Sequence, residues 1–224
     1  MSQARSEFPG VVQAAGLSRR MGSLGPKLLL PLRGRPLIAH VVDSALASRL
    51  AEVVVVLGPE PERFRRALPE DPRLRVVLNA RHAEGRSGSI RAGLDALGTG
   101  APGAAFLLGD QPLMSAELID GVIARAEQEA SRGELGSALV VPVLSIDSEP
   151  AAGKDAARAK ANPVLFRRML FDDLRRLTGD RGALPLIEAN WESAALVVVE
   201  DPRTQTRVET PGDYELLLAM AGGA

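Results

Sequence analysis

Two segments of the chain carry residues that could handle a polyphosphate. Between Val11 and Leu32 an apolar run breaks into a glycine-bearing loop that holds Arg19, Arg20 and Lys27. Such a loop presents backbone N–H groups and cations together, which is what phosphate oxygens require. Lys27 stands out because all but three of the 27 basic residues are arginine, the other lysines being Lys154 and Lys160. Its ammonium is a compact charge suited to a single phosphate, although a solvated loop lysine is the plain alternative. The second segment is Gly109, Asp110 and Gln111, directly after the apolar run AAFLL. A carboxylate there is a hard oxygen ligand for Mg²⁺, which takes one or two protein carboxylates and completes its shell with water and phosphate oxygens. A turn ending a strand would use the same residues. A third segment, Gly88 to Leu94 (GSIRAGL), reads as a glycine turn entering a helix whose first N–H groups and Ser89 hydroxyl reach a nucleotide. It reads equally as a helix capped by Ser87 or Ser89.

These residues need elements to bring them together. Apolar β-branched runs recur at Val11–Ala14, Val53–Leu57, Leu74–Leu78, Ala104–Leu108, Ala138–Val143 and Ala195–Val199. Helical patterns lie between them, one opened by Pro36 with Leu37, Ile38, Val41, Val42, Ala45 and Leu46 on one face, another capped by Ser115. That alternation predicts an α/β fold with a mostly parallel central sheet. In such sheets ligands bind beyond the carboxyl ends of the strands. The glycine loop follows the first run, Asn79 ends the third, and Gly109 to Gln111 end the fourth, so parallel strands would gather them at one edge. The whole chain, 1–224, is expected to form one domain with a tail over 1–8 and a polar surface loop over 145–161 (SIDSEPAAGKDAARAKA).

Composition narrows the classes. With 46% hydrophobic residues in 224 the chain can bury a large core, and a net charge of −1 with 3% aromatics provides neither the basic field nor the stacking platforms of a nucleic-acid binder. The absence of cysteine removes disulfides, thiolate nucleophiles and Cys-ligated metals. No apolar leader or spanning run is visible, so the expectation is a cytoplasmic protein with no membrane partner. Histidine occurs only at His40 and His82, read as structural residues. Lys27 precedes Leu28, so the loop is no Walker A motif, and Gly16, Gly22 and Gly25 do not make a dinucleotide fingerprint.

The segments AAGLSRRMG, KLLLPLRGRPL, GSIRAGL, GDQPLM, NPVLF, TGDRGA and ETPGDYELL occur in this order over nearly the whole chain. Their set resembles the MobA-like nucleotidyltransferases, and within them the molybdenum cofactor cytidylyltransferases. The resemblance implies a Rossmann-like, GT-A-like nucleotidyltransferase fold with helices on both faces of the sheet. It implies CTP and a molybdopterin-type substrate as partners, Mg²⁺ as cofactor, and transfer of CMP to the substrate's terminal phosphate with release of pyrophosphate. A molybdoenzyme or its chaperone would then be a transient partner. Matched residue by residue, Ala14, Ala15, Gly16, Ser18 and Gly22 fall in the nucleotide loop, with Lys27 and Arg20 on the phosphates and Asp110 as the magnesium aspartate. Asn79, Ser89, Ile90 and Gly93 fall in the nucleotide pocket, and Asn162, Pro163, Gly179, Asp180 and Gly182 where the acceptor is held. In the family the pair Ala14–Ala15 goes with cytidine, an Ala-Gly pair with guanosine.

The sequence also departs from the pattern. Gln13 replaces an apolar residue, Lys160 and Ala161 stand where glycines usually precede Asn-Pro, and Arg207 and Glu209 replace an acidic pair. Glu209 is still a candidate metal ligand, whereas Arg207 cannot be one. These departures keep open a different phosphorylated acceptor, GTP in place of CTP, and a non-catalytic nucleotide-binding accessory protein.

Overall fold

The computed structural model describes residues 4–144 and 160–222. Its centre is a seven-stranded sheet of β1 (Gly10–Ala14), β4 (Val53–Leu57), β5 (Leu74–Leu78), β6 (Gly103–Leu108), β7 (Leu139–Leu144), β8 (Val164–Arg167) and β9 (Ala195–Val199). The strand order is β5-β4-β1-β6-β8-β7-β9, and every neighbour pair is parallel except those made by β8. β2 (Pro31–Leu32) and β3 (Arg35–Pro36) form a separate hairpin. The six runs read from the sequence all become strands of the sheet. β8 was missed, because four residues after Asn-Pro are too short to show a period.

Within the strands, alternate residues feed two cores. Val12, Ala14, Val53, Val55, Ala105 and Leu107 pack under α1 (Leu37–Ala47) and α4 (Ala116–Ser131). Val11, Val54, Val56, Ala104 and Phe106 pack on the other face with Ile90 and Leu94 of α3 (Arg86–Ala96), and with α5 (Phe171–Arg176) and α6 (Leu184–Ala189). Strands buried on both faces read as continuous apolar runs, which is why they were legible. Ser115 caps α4 as expected, its hydroxyl accepting from the Leu118 N–H at 3.2 Å. Pro36 stands one residue before α1. A short helix, α2 (Pro61–Arg65), links β4 to β5.

Two expectations are corrected here. The tail over 1–8 holds for none of the described residues from Ser6 to Phe8: Phe8 is 3% exposed in the core, and the Ser6 N–H donates to the Arg49 carbonyl. The turn that opens α3 is made by Gly85, at φ 102°, so Ser87 and Ser89 lie inside the helix and cap nothing. A Cβ on Gly85 would stand 2.6 Å from the Gly179 carbonyl carbon, so this turn is fixed by close contact with a distant loop. The polar loop over 145–161 lies outside the described residues except for its last two, where Lys160 bridges Val143 and the Ala161 N–H donates to the Pro142 carbonyl. Among the described residues no helix is long and apolar enough to cross a membrane.

The segment from Gln205 to Thr210 closes over the carboxyl end of the sheet and leads into α7 (Pro211–Gly222). A reciprocal cap fixes it: the Asp213 N–H donates to the Thr210 hydroxyl, while the Asp213 carboxylate accepts from the Glu209 and Thr210 N–H groups at 2.9 and 2.8 Å. The Glu209 N–H above all, then the Thr210 hydroxyl and N–H, hold the Asp213 carboxyl below the usual carboxylate range. A lowered folded value stabilises the protein above the unfolded value and ceases to do so as pH falls through the folded one. Asp213→Ala should therefore cost about 0.5–2 kcal/mol at neutral pH, a deficit that closes in strong acid. Denaturant titrations across pH that show an equal deficit throughout would contradict this.

Candidate active site

β1 leads leftward to β4 while β6 lies on its right, so the strand order reverses between β1 and β6. Open α/β sheets bind ligands at such a reversal, outside the carboxyl ends. There the Gly109 N–H donates to the Gln13 carbonyl at 3.0 Å, which delivers the next residue, Asp110, to the rim between the two strands. Asp110 is 6% exposed. Its Oδ2 accepts from Lys27 Nζ at 2.5 Å and from Arg207 Nε at 3.0 Å. The Asp110 carbonyl also accepts from the Val208 N–H at 2.9 Å, docking the closing segment onto the same residue. An isolated buried carboxylate costs several kcal/mol, and two cations with good geometry offset it.

The β1 loop and Asp110 gather at one edge, as the parallel order predicts: Lys27 and Asp110 touch, and the cavity lies beside them. It has a volume of about 520 Å³ and is walled by Ala14 to Arg20, Lys27, Arg86, Ser89 and Asp110, with Asp180, Arg207 and Glu209. The loop after β1 is held by Ser18, whose hydroxyl accepts from the Lys27 N–H at 3.1 Å. Arg20 pairs with Glu209 at 2.5 Å, and Arg207 pairs with it at 2.5 Å from the other side. Arg86 adds a third, longer contact at 3.8 Å. Arg19 borders the cavity and has no acidic partner among the described residues.

A second cavity of about 400 Å³ adjoins the first, sharing Gln13, Arg86, Leu108 and Arg207 as a common wall. Its floor is apolar, from Ile90, Phe106, Val164, Phe166 and Ile187, and its rim carries Lys160, Asn162, Arg181 and Gln205. Phe106 and Phe166 meet edge to face at 5.7 Å. Gln205 pins the Asn162 backbone on both sides, accepting from its N–H at 2.8 Å and donating to its carbonyl at 2.9 Å.

The donor set can be tested for Mg²⁺ directly. Asp110 Oδ1 is buried and has no hydrogen-bond partner, so one hard oxygen is uncommitted. Among the described residues no three acidic or histidine side chains gather into a metal cage. One carboxylate oxygen with ligand phosphates and water is a shell that Mg²⁺ accepts, so the residues fit the ion through Asp110. Glu209 does not present itself as the second ligand, because three arginines hold it.

Several expected residues sit elsewhere than the pocket walls. Asn79 is buried behind the first cavity, donating to the Ser89 hydroxyl at 3.2 Å and accepting from the Arg81 N–H at 3.0 Å, so it positions Ser89. Gly93 packs α3 on β1, a Cβ there standing 2.4 Å from Val11 Cγ1. Gly22 and Pro163 line neither cavity, and Gly179 instead receives the Ser87 hydroxyl and N–H on its carbonyl. Ile90 lines the second cavity and Asp180 the first. Asn162 and Gly182 do line the second. The residues not foreseen are Arg86, Gln205 and Arg207. Arg207 was set aside as unable to bind metal, when its charge is what the buried Asp110 needs.

A family model described as the MobA-like NTP transferase domain matches residues 10–195. The chain is 29% identical over 217 residues to the purine catabolism protein PucB of Bacillus subtilis, covering 93% of this chain and 94% of that protein. It is 36% identical over 118 residues to the bifunctional protein GlmU of Paraburkholderia xenovorans, which is 53% of this chain but spans only 25% of GlmU. The crystal structure of an Rv0371c homologue from Mycobacterium sp. strain JC1 superposes with a TM-score of 0.77 at 29% identity, over 98% of both chains.

Removing the carboxylate at position 110 leaves Lys27 without its counter-ion and Arg207 with Glu209 alone. Asp110→Asn should cost about 3–5 kcal/mol of folding stability, as for other buried pairs deprived of one partner. An unchanged unfolding midpoint would contradict the view that this pairing stabilises the closed rim.

Proposed function

The chain belongs to the MobA-like NTP transferase family, and on that premise we propose that it transfers CMP from CTP to the terminal phosphate of molybdopterin, releasing pyrophosphate. The observation that carries this reading is the placement of Asp110 at the reversal of the sheet, with one oxygen shared by Lys27 and Arg207 and the other free. The first cavity is read as the nucleotide site and the second as the acceptor site, with Arg86 and Arg207 on the wall between them.

Ala14 and Ala15 line the first cavity with no more than a methyl group each. A methyl at position 15 narrows the space for a base compared with glycine, which favours a pyrimidine over a purine. The triphosphate then runs toward the loop cations, with Arg19 free of acidic partners among the described residues and Lys27 able to trade the Asp110 oxygen for a phosphate oxygen. Mg²⁺, when bound at Asp110 Oδ1 and the phosphates, supplies charge neutralisation at the reacting phosphorus and the departing pyrophosphate. The acceptor's phosphate monoester is largely dianionic near neutral pH, its second pKa being about 6, so it attacks without a general base. The bond formed is acceptor oxygen to α-phosphorus, and the bond broken is α-phosphorus to the bridging oxygen that leaves with pyrophosphate. Lys27 and the arginines on the shared wall stabilise the charge that grows on those oxygens.

Two measurements test this. In a thermal-shift panel of CTP, GTP, ATP and UTP with and without Mg²⁺, CTP with Mg²⁺ should raise the melting temperature most, since a ligand that binds only the folded state stabilises it. A preference for GTP would overturn the base assignment. Lys27→Ala should lower kcat about a hundred- to a thousandfold, the usual loss for one preorganised electrostatic contact; near-normal turnover in a folded variant would remove Lys27 from the mechanism.

A further inference from the structure

Two polar groups at the second cavity lack what their chemistry requires. Gln111 is 2% exposed; its amide nitrogen donates to the Gln205 carbonyl and Oε1, both at 3.3 Å, but its own Oε1 is buried without any partner. Lys160 lines the same cavity, and among the described residues its Nζ reaches only the Asn162 Oδ1, at 3.4 Å. Among the described residues no carboxylate pairs with it. The charged groups around it are Arg207 on the closing segment, Arg86 on α3 and Arg181 on the turn before α6, the last paired with Glu188 at 2.8 Å. An ammonium set among guanidinium groups, partly buried and with no counter-ion among the described residues, suits an anion supplied from outside. Burial, then the charges of Arg207 and Arg86, lower its pKa from the ordinary lysine value to about 8.

We propose that Lys160 and Gln111 are the specificity-determining residues for the acceptor: Lys160 seats the acceptor's phosphate beside Arg207, and Gln111 Oε1 accepts a hydrogen bond from an N–H or O–H on its body. The proposal rests on the second cavity being the acceptor site. The apolar floor of Phe106, Val164, Phe166 and Ile187 fits a flat or apolar body between these two contacts. The acceptor class is therefore a phosphorylated small molecule with a donor-bearing, weakly polar ring system. Since Arg207 borders both cavities, a phosphate held by Lys160 and Arg207 lies on the side from which the nucleotide is reached.

The test uses inorganic phosphate as probe, titrated calorimetrically into the full chain with and without Mg²⁺ and α,β-methylene-CTP, a nucleotide that cannot react at its α-phosphate. With the nucleotide bound, Lys160→Gln should weaken phosphate binding about tenfold or more, the scale of a lost charge-assisted hydrogen bond, and leave nucleotide affinity unchanged. Lys160→Arg should restore it. The wild-type ammonium loses its proton as pH rises through about 8, whereas a guanidinium stays charged. Wild-type phosphate affinity should thus fall relative to Lys160→Arg above that pH. Equal phosphate affinity in Lys160→Gln and wild type would overturn the proposal, as would a wild-type to Lys160→Arg ratio that stays flat with pH. Failure of the methylene nucleotide to bind would instead count against the nucleotide reading, and the titration without nucleotide would still report on Lys160.

Discussion

The site is organised by one buried carboxylate shared between two cations. Asp110 receives Lys27 from 83 residues before it and Arg207 from 97 residues after it, so a single oxygen fixes the positions of the first loop and the last segment of the fold. Buried ion pairs contribute little net stability compared with apolar packing, because desolvation opposes the attraction. What this pairing contributes is position. It closes the carboxyl end of the sheet at the reversal between β1 and β6 and leaves one oxygen of Asp110 uncommitted.

The surrounding arginines follow from the same constraint. Bringing Arg20, Arg86, Arg207 and Lys27 into one rim without counter-charge would be repulsive, and Glu209 offsets it by contacting the first three. Carboxylates thus hold the places that phosphate oxygens would take, so the cations need little rearrangement when an anion arrives. The Asp213 cap on α7 secures the segment that carries Arg207 and Glu209. Capping of a surface helix and electrostatics in the cleft are in this way one continuous device.

Much of the scaffold is legible because apolar β-branched runs announce strands: β4 is buried throughout, and the partly exposed edge strands β5 and β9 also begin and end where the runs do. Convergence of the β1 loop and Asp110 was legible for the same reason, since parallel order places strand ends together. What the sequence concealed depended on partners distant along the chain. Asn79 ended a strand as expected, yet its side chain turns inward to Ser89, which no local pattern reveals. Gly85 looked unremarkable until its contact with Gly179 was visible. Arg207 cannot be a metal ligand, and its role as the cation paired with buried Asp110 depends on a contact 97 residues away. β8 gave no signal at all, being four residues long and antiparallel to both neighbours.

The central claim is that Asp110 exchanges partners when nucleotide arrives, keeping Arg207 while Lys27 moves to phosphate. A crystal structure with Mn²⁺ and a non-reactive CTP analogue, read from the anomalous signal of the metal, tests it most directly. The account predicts manganese on Asp110 Oδ1 with Lys27 Nζ on a phosphate oxygen. Manganese bound away from Asp110, or Lys27 still paired with the carboxylate in the filled site, would contradict it.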